Sequence, residues 1–115
     1  MINQEKTSDR ADELETMITF VNVFTVLPDK QQTAFEAISR VYREVVKQQP
    51  GFIEAKLLVS DDGTRVTAVA IWDSVEDLAA MRQTQGFQNL HDTEFFSNIV
   101  SNDAHTYSTV LEVRL

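Results

Sequence analysis

Two polar side chains stand in apolar surroundings in this sequence, and chemistry is to be sought there first. Asn22 interrupts the run Ile18-Thr-Phe-Val-Asn-Val-Phe-Thr-Val-Leu27. An amide buried without partners costs about 1–3 kcal/mol, so something must hydrogen-bond it. It either ties strands together or aims a donor into a cavity, where it would polarise a bound carbonyl or oxygen. His91 falls on a helical stripe with Phe87, Leu90 and Phe95. An imidazole there is a packed or surface group, a general base near neutral pH, or an axial ligand to iron. Trp72 ends an apolar run and shares a face with Val66, Ala68 and Ala70. It can plug the end of a sheet with its N–H bonded to a neighbour, and large-beside-small packing can equally leave a pocket at the two alanines. Tyr42, Tyr107 and Arg82 are secondary candidates: a phenol or a cation for a pocket, or ordinary packing and surface positions. His105, expected in a loop, has no such context. The acidic pairs Glu76-Asp77 and Asp61-Asp62 read as helix cap and turn. No glycine-rich phosphate loop, catalytic-triad order or metal-spaced histidine cluster occurs.

Several elements must position these groups. Residues 1–16 are polar and acidic and are expected to form a mobile tail, with one domain over residues 17–115. Ile18 to Leu27, rich in β-branched and aromatic residues, predicts a strand with two apolar faces. Pro28-Asp29-Lys30 breaks it, and Asp29 is expected to cap a helix to about Gln48 whose stripe is Phe35, Ile38, Tyr42, Val45 and Val46. Pro50-Gly51 stops that helix. Phe52 to Ser60 and Arg65 to Trp72 then predict two strands joined by the turn Asp61-Asp62-Gly63. Ser74, with Asp77 three residues on, predicts a capped helix through Leu78 and Met81. A break near Thr84 to Gly86 precedes a further helix from Phe87 to about Val100. After a Ser101-Asn102-Asp103 loop, Thr106 to Val113 predicts the last strand.

The order β-α-β-β-α-(α)-β gives an α+β fold: a ferredoxin-like βαββαβ antiparallel sheet with helices on one face. The first strand's second apolar face then needs a cover that no segment of this chain supplies. A second copy, sheet facing sheet, is the economical cover, so a homodimer is expected.

The totals limit the partners. The chain has 115 residues, a formal net charge of −8 and no cysteine. The acidity argues against nucleic acid and anionic membranes. Disulfides, thiolate nucleophiles and cysteine-held metal are excluded. There is no signal-like segment and no apolar stretch long enough to span a bilayer, so a cytoplasmic location is expected.

Four separated motifs carry a resemblance: Phe24-Thr-Val-Leu-Pro-Asp-Lys30, Gln49-Pro-Gly-Phe-Ile53, Asp62-Gly-Thr64 and Trp72-Asp-Ser74, followed by Phe87-Gln-Asn-Leu-His91. Together, over roughly Ile18 to Val113, the chain resembles the antibiotic-biosynthesis monooxygenase family. The resemblance implies a dimeric α+β barrel. Activities in that family include cofactor-independent oxygenation of phenolic polyketides or quinols and haem degradation, and many members have none established. Haem-degrading relatives place an asparagine where Asn22 stands and their ligand histidine where His91 stands. They also carry a second tryptophan where this chain has Met81. The polyketide oxygenases carry an asparagine where this chain has Ala68. The first expectation from the resemblance is a monooxygenase for a small phenolic or quinol-type aromatic, needing no cofactor, with Asn22, His91 and Trp72 at its site. Haem binding through His91 and a non-catalytic ligand-binding dimer are the alternatives.

Overall fold

The computed structural model describes residues 17–89 and 97–115; the tail expected over residues 1–16 lies outside them. The chain runs through β1 (Ile18–Val26), α1 (Gln31–Glu44), β2 (Phe52–Val59), β3 (Arg65–Trp72), α2 (Val75–Arg82), α3 (Gln85–Asn89) and β4 (Ile99–Tyr107). The sheet order is β2-β3-β1-β4, and every neighbouring pair is antiparallel. β1, apolar on both faces, therefore occupies an interior position. This is the ferredoxin-like α+β fold.

Alternation along the strands sorts the side chains. Ile18, Phe20, Asn22, Phe24 and Val26 of β1 share the inner face with Val66, Ala68, Ala70 and Trp72 of β3. Ala34, Ile38 and Val41 of α1 and Leu78 and Met81 of α2 close over that face in two apolar clusters. Ala68 and Ala70 are both 0% exposed, so these small side chains let the helices approach the sheet instead of leaving a pocket. Burying these aliphatic and aromatic groups is the main favourable term, about 25 cal/mol per Å2 of apolar surface.

Short-range chemistry fixes the joints. The Ser74 hydroxyl accepts a hydrogen bond from the Asp77 amide at 3.1 Å and donates to Asp77 Oδ2 at 2.9 Å, the expected cap of α2. Gly63 takes φ +80° in the β2–β3 turn, as the hairpin requires. Gln31, at the start of α1, donates from Nε2 to the carbonyls of Ser60 and Arg65 at 2.9 and 3.0 Å. That amide pins the helix to the base of the hairpin.

Three expectations are corrected. Asp29 does not cap α1: it lies in a 3-10 turn, Pro28–Lys30, and neither it nor Lys30 makes a side-chain cap. Proline at the head of that turn pre-sets φ and organises the helix entry instead. The last strand is Ile99–Tyr107, so the expected 101–103 loop is strand, the helix does not reach Val100, and residues 108–115 are not strand. His105 accordingly sits in β4 and not in a loop. β4 misleads by composition: Ser101, Asn102, Asp103 and Thr106 are turn and loop formers, but β1 supplies a full ladder of antiparallel partners for them.

Candidate active site

The inner face is sealed over β3 and opens toward β4. Ala104 is half-buried, while Asn102 and Thr106 on the same face are exposed. Above this half of the sheet lie Tyr42 of α1, Arg82 at the end of α2 and Phe87 of α3. Tyr42 packs against both apolar clusters, that of Phe20 and that of Phe24. Asn22 is the strand position between those two phenylalanines.

Asn22 is half-buried, and its Oδ1 accepts a hydrogen bond from Nδ2 of Asn102 at 3.2 Å. Asn102 sits diagonally across the β1–β4 ladder, facing Phe24. A side-chain amide can donate twice and accept twice, so one shared bond leaves most of the pair's capacity unused. No buried side-chain nitrogen or oxygen among the described residues lacks a partner. The spare donors of Asn22 are therefore accessible, at the inner-face position between Phe20 and Phe24. Such a place can orient an aromatic by its edge and hydrogen-bond an oxygen on it.

The Arg82 guanidinium lies over the Phe20 ring, 4.8 Å from its centroid, a cation–π distance. Tyr42 has its phenol pushed up to about 12, first by burial, against the opposing pull of Arg82. It is therefore a neutral hydroxyl, able to donate, throughout the physiological range. Sequence reasoning gave Arg82 and Tyr42 secondary places because a helix arginine and a stripe tyrosine are common surface and packing residues. Asn102 was missed altogether, since its strand has no alternating apolar signal.

Of the three residues singled out from sequence, Asn22 and Trp72 stand apart on the sheet. Trp72 is 1% exposed and packs edge-on against Phe52, with ring centroids 5.5 Å apart. It pairs with Ile18, whereas Asn22 pairs with Ala68. Four residues of strand separate them, about 13 Å. Trp72 thus closes the far end of the inner face. His91 lies outside the described residues. His105, on the opposite face of β4, is exposed, with Nε2 2.7 Å from Oδ1 of Asp103.

The described residues do not fit a haem. Met81, 5% exposed, is packed in one cluster with Phe20, Ala70 and Trp72. The inner face beneath it is filled by side chains, and a thioether offers no flat contact to a macrocycle. Among the described residues no group of three or more histidines and carboxylates could hold a metal ion, and no helix is long and apolar enough to cross a membrane.

Known proteins bear on this arrangement. The tetracenomycin-F1 monooxygenase of Streptomyces glaucescens is 37% identical over 65 residues, which is 56% of this chain and 58% of that protein. The match thus spans little more than half of the relative's length. The fold matches SnoaB, a cofactor-independent oxygenase from Streptomyces nogalater, with a TM-score of 0.63 at 22% identity, covering 85% of this chain and 96% of that one. A protein from Shewanella oneidensis matches with a TM-score of 0.71 at 20% identity, over 81% and 90% of the two chains. The family model for antibiotic biosynthesis monooxygenase matches residues 17–93, spanning β1, both packed helices and the half of the inner face that holds Asn22, Tyr42 and Arg82, and the chain belongs to that family.

Proposed function

We propose that this chain is a cofactor-independent monooxygenase acting on a small phenolic or quinol-type aromatic. The observation that carries the proposal is the Asn22 amide, half-buried between Phe20 and Phe24 with donors to spare. The family, and the activities for which tetracenomycin-F1 monooxygenase and SnoaB are named, support it. The substrate ring lies against Phe20, Phe24 and Tyr42, and Asn22 hydrogen-bonds its oxygen. In the ionised substrate the ring is electron-rich enough to reduce O2 without a cofactor. One oxygen atom becomes the new quinone carbonyl and the other leaves as water, so a phenol and O2 balance as quinone and water with no external reductant. His91 is assigned the proton transfer, and Trp72, buried against Phe52, a supporting place at the closed end of the inner face. The low dielectric of the apolar surroundings strengthens each polar contact to the developing charge.

The test is oxygen uptake with a panel of naphthols and hydroquinones, using wild type and the Asn22→Ala and His91→Ala variants. Turnover in the wild type and a fall of about 100-fold in the variants, the scale of a lost oxyanion donor or general base, are expected. Variants that turn over as fast as wild type refute the mechanism.

The proposal includes a homodimer in the cytoplasm, formed through the outer face of the sheet. Val21, Val23, Val69 and Ile71 lie there half-buried, and Leu58 and Tyr107 are 51% and 48% exposed. An apolar recess of about 530 Å3, lined in part by Thr19, Ile71 and Val110, continues that surface toward the carboxyl-terminal residues. An apolar stripe of this kind marks an interaction surface.

A further inference from the structure

Arg82 is unusual among the cations of this protein. The chain carries eight more acidic than basic residues, yet the ion pairs found among the described residues are His105–Asp103 and Arg114–Glu112. Arg82 is in neither, in common with most lysines and arginines of the described residues, and what sets it apart is its seat on an aromatic ring. It ends α2, where the helix dipole favours a cation, and its guanidinium is seated on the ring of Phe20. Phe20 itself is 5% exposed. The guanidinium therefore caps a buried aromatic at the open half of the inner face. Among the described residues the titratable group that interacts with it is Tyr42, whose phenol stays protonated and so does not neutralise it. Stacking uses the π face of the guanidinium and leaves its in-plane N–H donors free.

We propose that Arg82, with the Tyr42 hydroxyl, forms an anion subsite that selects aromatic substrates bearing an acidic group, a carboxylate or an acidic phenolate, beside the ring to be oxidised. This deepens the reading of the site as an aromatic-binding oxygenase site and rests on it. Phe20 seats the guanidinium, Arg82 supplies the charge and bidentate geometry for a carboxylate, and Tyr42 a neutral donor. The overall negative charge of the protein opposes such a ligand at long range. Selectivity then resides in this local contact.

The test compares two ligands, 1-hydroxy-2-naphthoate and neutral 1-naphthol, titrated against wild type, Arg82→Gln and Arg82→Lys. Binding is read by quenching of Trp72, the sole tryptophan, and checked by calorimetry. Arg82→Gln is expected to weaken the naphthoate about 10-fold or more while changing 1-naphthol less than about 2-fold, with Arg82→Lys intermediate because lysine lacks the planar fork. Added salt should weaken the naphthoate alone. Equal effects on both ligands in Arg82→Gln, no effect on either, or no binding of the naphthoate to wild type each overturn the subsite. Naphthoate selectivity without oxygen uptake overturns the oxygenase reading and leaves the anion subsite standing.

Discussion

Gly51 offers the sharpest test of how the inner face is held. It connects the end of α1 to β2 with φ +84°, and its carbonyl accepts a hydrogen bond from the amide of Asp73 at 2.8 Å, next to Trp72. A Cβ added there would meet the Asp77 carboxylate and lie 2.5 Å from the Asp77 Cβ. Two costs follow for Gly51→Ala. The left-handed backbone costs an L-residue roughly 1–2 kcal/mol. Displacing Asp77 breaks its reciprocal bonds with Ser74, a loss of about 1 kcal/mol on the scale of helix caps. The sum, roughly 2–3 kcal/mol, corresponds to a fall in Tm on the order of 10–20 °C for a domain of this size. Thermal unfolding by circular dichroism reads the total. Repeating Gly51→Ala in an Asp77→Gly background, which removes the Asp77 Cβ as well as its carboxylate, separates the parts, because there the steric component is relieved and only the backbone cost, about 1–2 kcal/mol, remains. Equal costs in the two backgrounds would show that Asp77 does not confine Gly51. A cost below about 0.5 kcal/mol in both would refute the conformational account as well.

Tyr42, raised to about 12 by burial, stabilises the fold while protonated. That stability is fully present below the unfolded value near 10 and is lost as pH rises from about 10 toward about 12; urea melts across this window should show wild type losing roughly 2–3 kcal/mol more than Tyr42→Phe. Parallel pH dependence in the two proteins contradicts the burial of the phenol. Asp62, lowered to about 2 by hydrogen bonds from the Thr64 hydroxyl and amide and from Ser60, acts in the opposite sense. Its contribution is present above the unfolded value near 4 and disappears as pH falls through about 2, so Asp62→Asn should flatten the acid limb of the stability curve; an unchanged limb removes the turn from the acid response. Val69→Glu, placing a charge in the middle of the outer face, should convert the proposed dimer to monomer in sedimentation experiments while the far-ultraviolet spectrum is retained. A wild-type chain that sediments as a monomer at tens of micromolar, or a Val69→Glu variant that remains dimeric, contradicts the sheet-to-sheet assembly.

The legible and illegible parts of the sequence differ for physical reasons. β1, β2 and β3 announce themselves because one or both faces are apolar and period two is strict there, as in Val66, Ala68, Ala70 and Trp72. Ser74 and Asp77 signal a helix start through their own side chains, so the cap of α2 was predictable. Asp29 carried the same local signal and lost to Pro28, which organises the turn through φ alone. β4 was displaced because an edge strand with Ser, Asn and Asp owes its conformation to the ladder with β1 and not to its own composition. The site suffered from the same blindness. Asn22 was visible as a polar group in an apolar strand, but its partner Asn102 lay on the strand read as a loop. Arg82 became conspicuous only when the fold seated its charge on Phe20.

The two outermost strands carry a further consequence. Among the described residues β2 and β4 each end the sheet with one row of backbone donors and acceptors that no further strand pairs, the kind of rim on which another chain can add as a further strand. β2 presents Glu54 and Lys56 along its outward side, a bulge displaces Ile53 from its ladder, and β4 presents Asp103 and His105. Fixed charges and a kink spoil the flat, dry registry that a cross-β stack demands. Charged side chains and a bulge on an outermost strand are the devices by which a sheet rim discourages edge-to-edge addition of another chain.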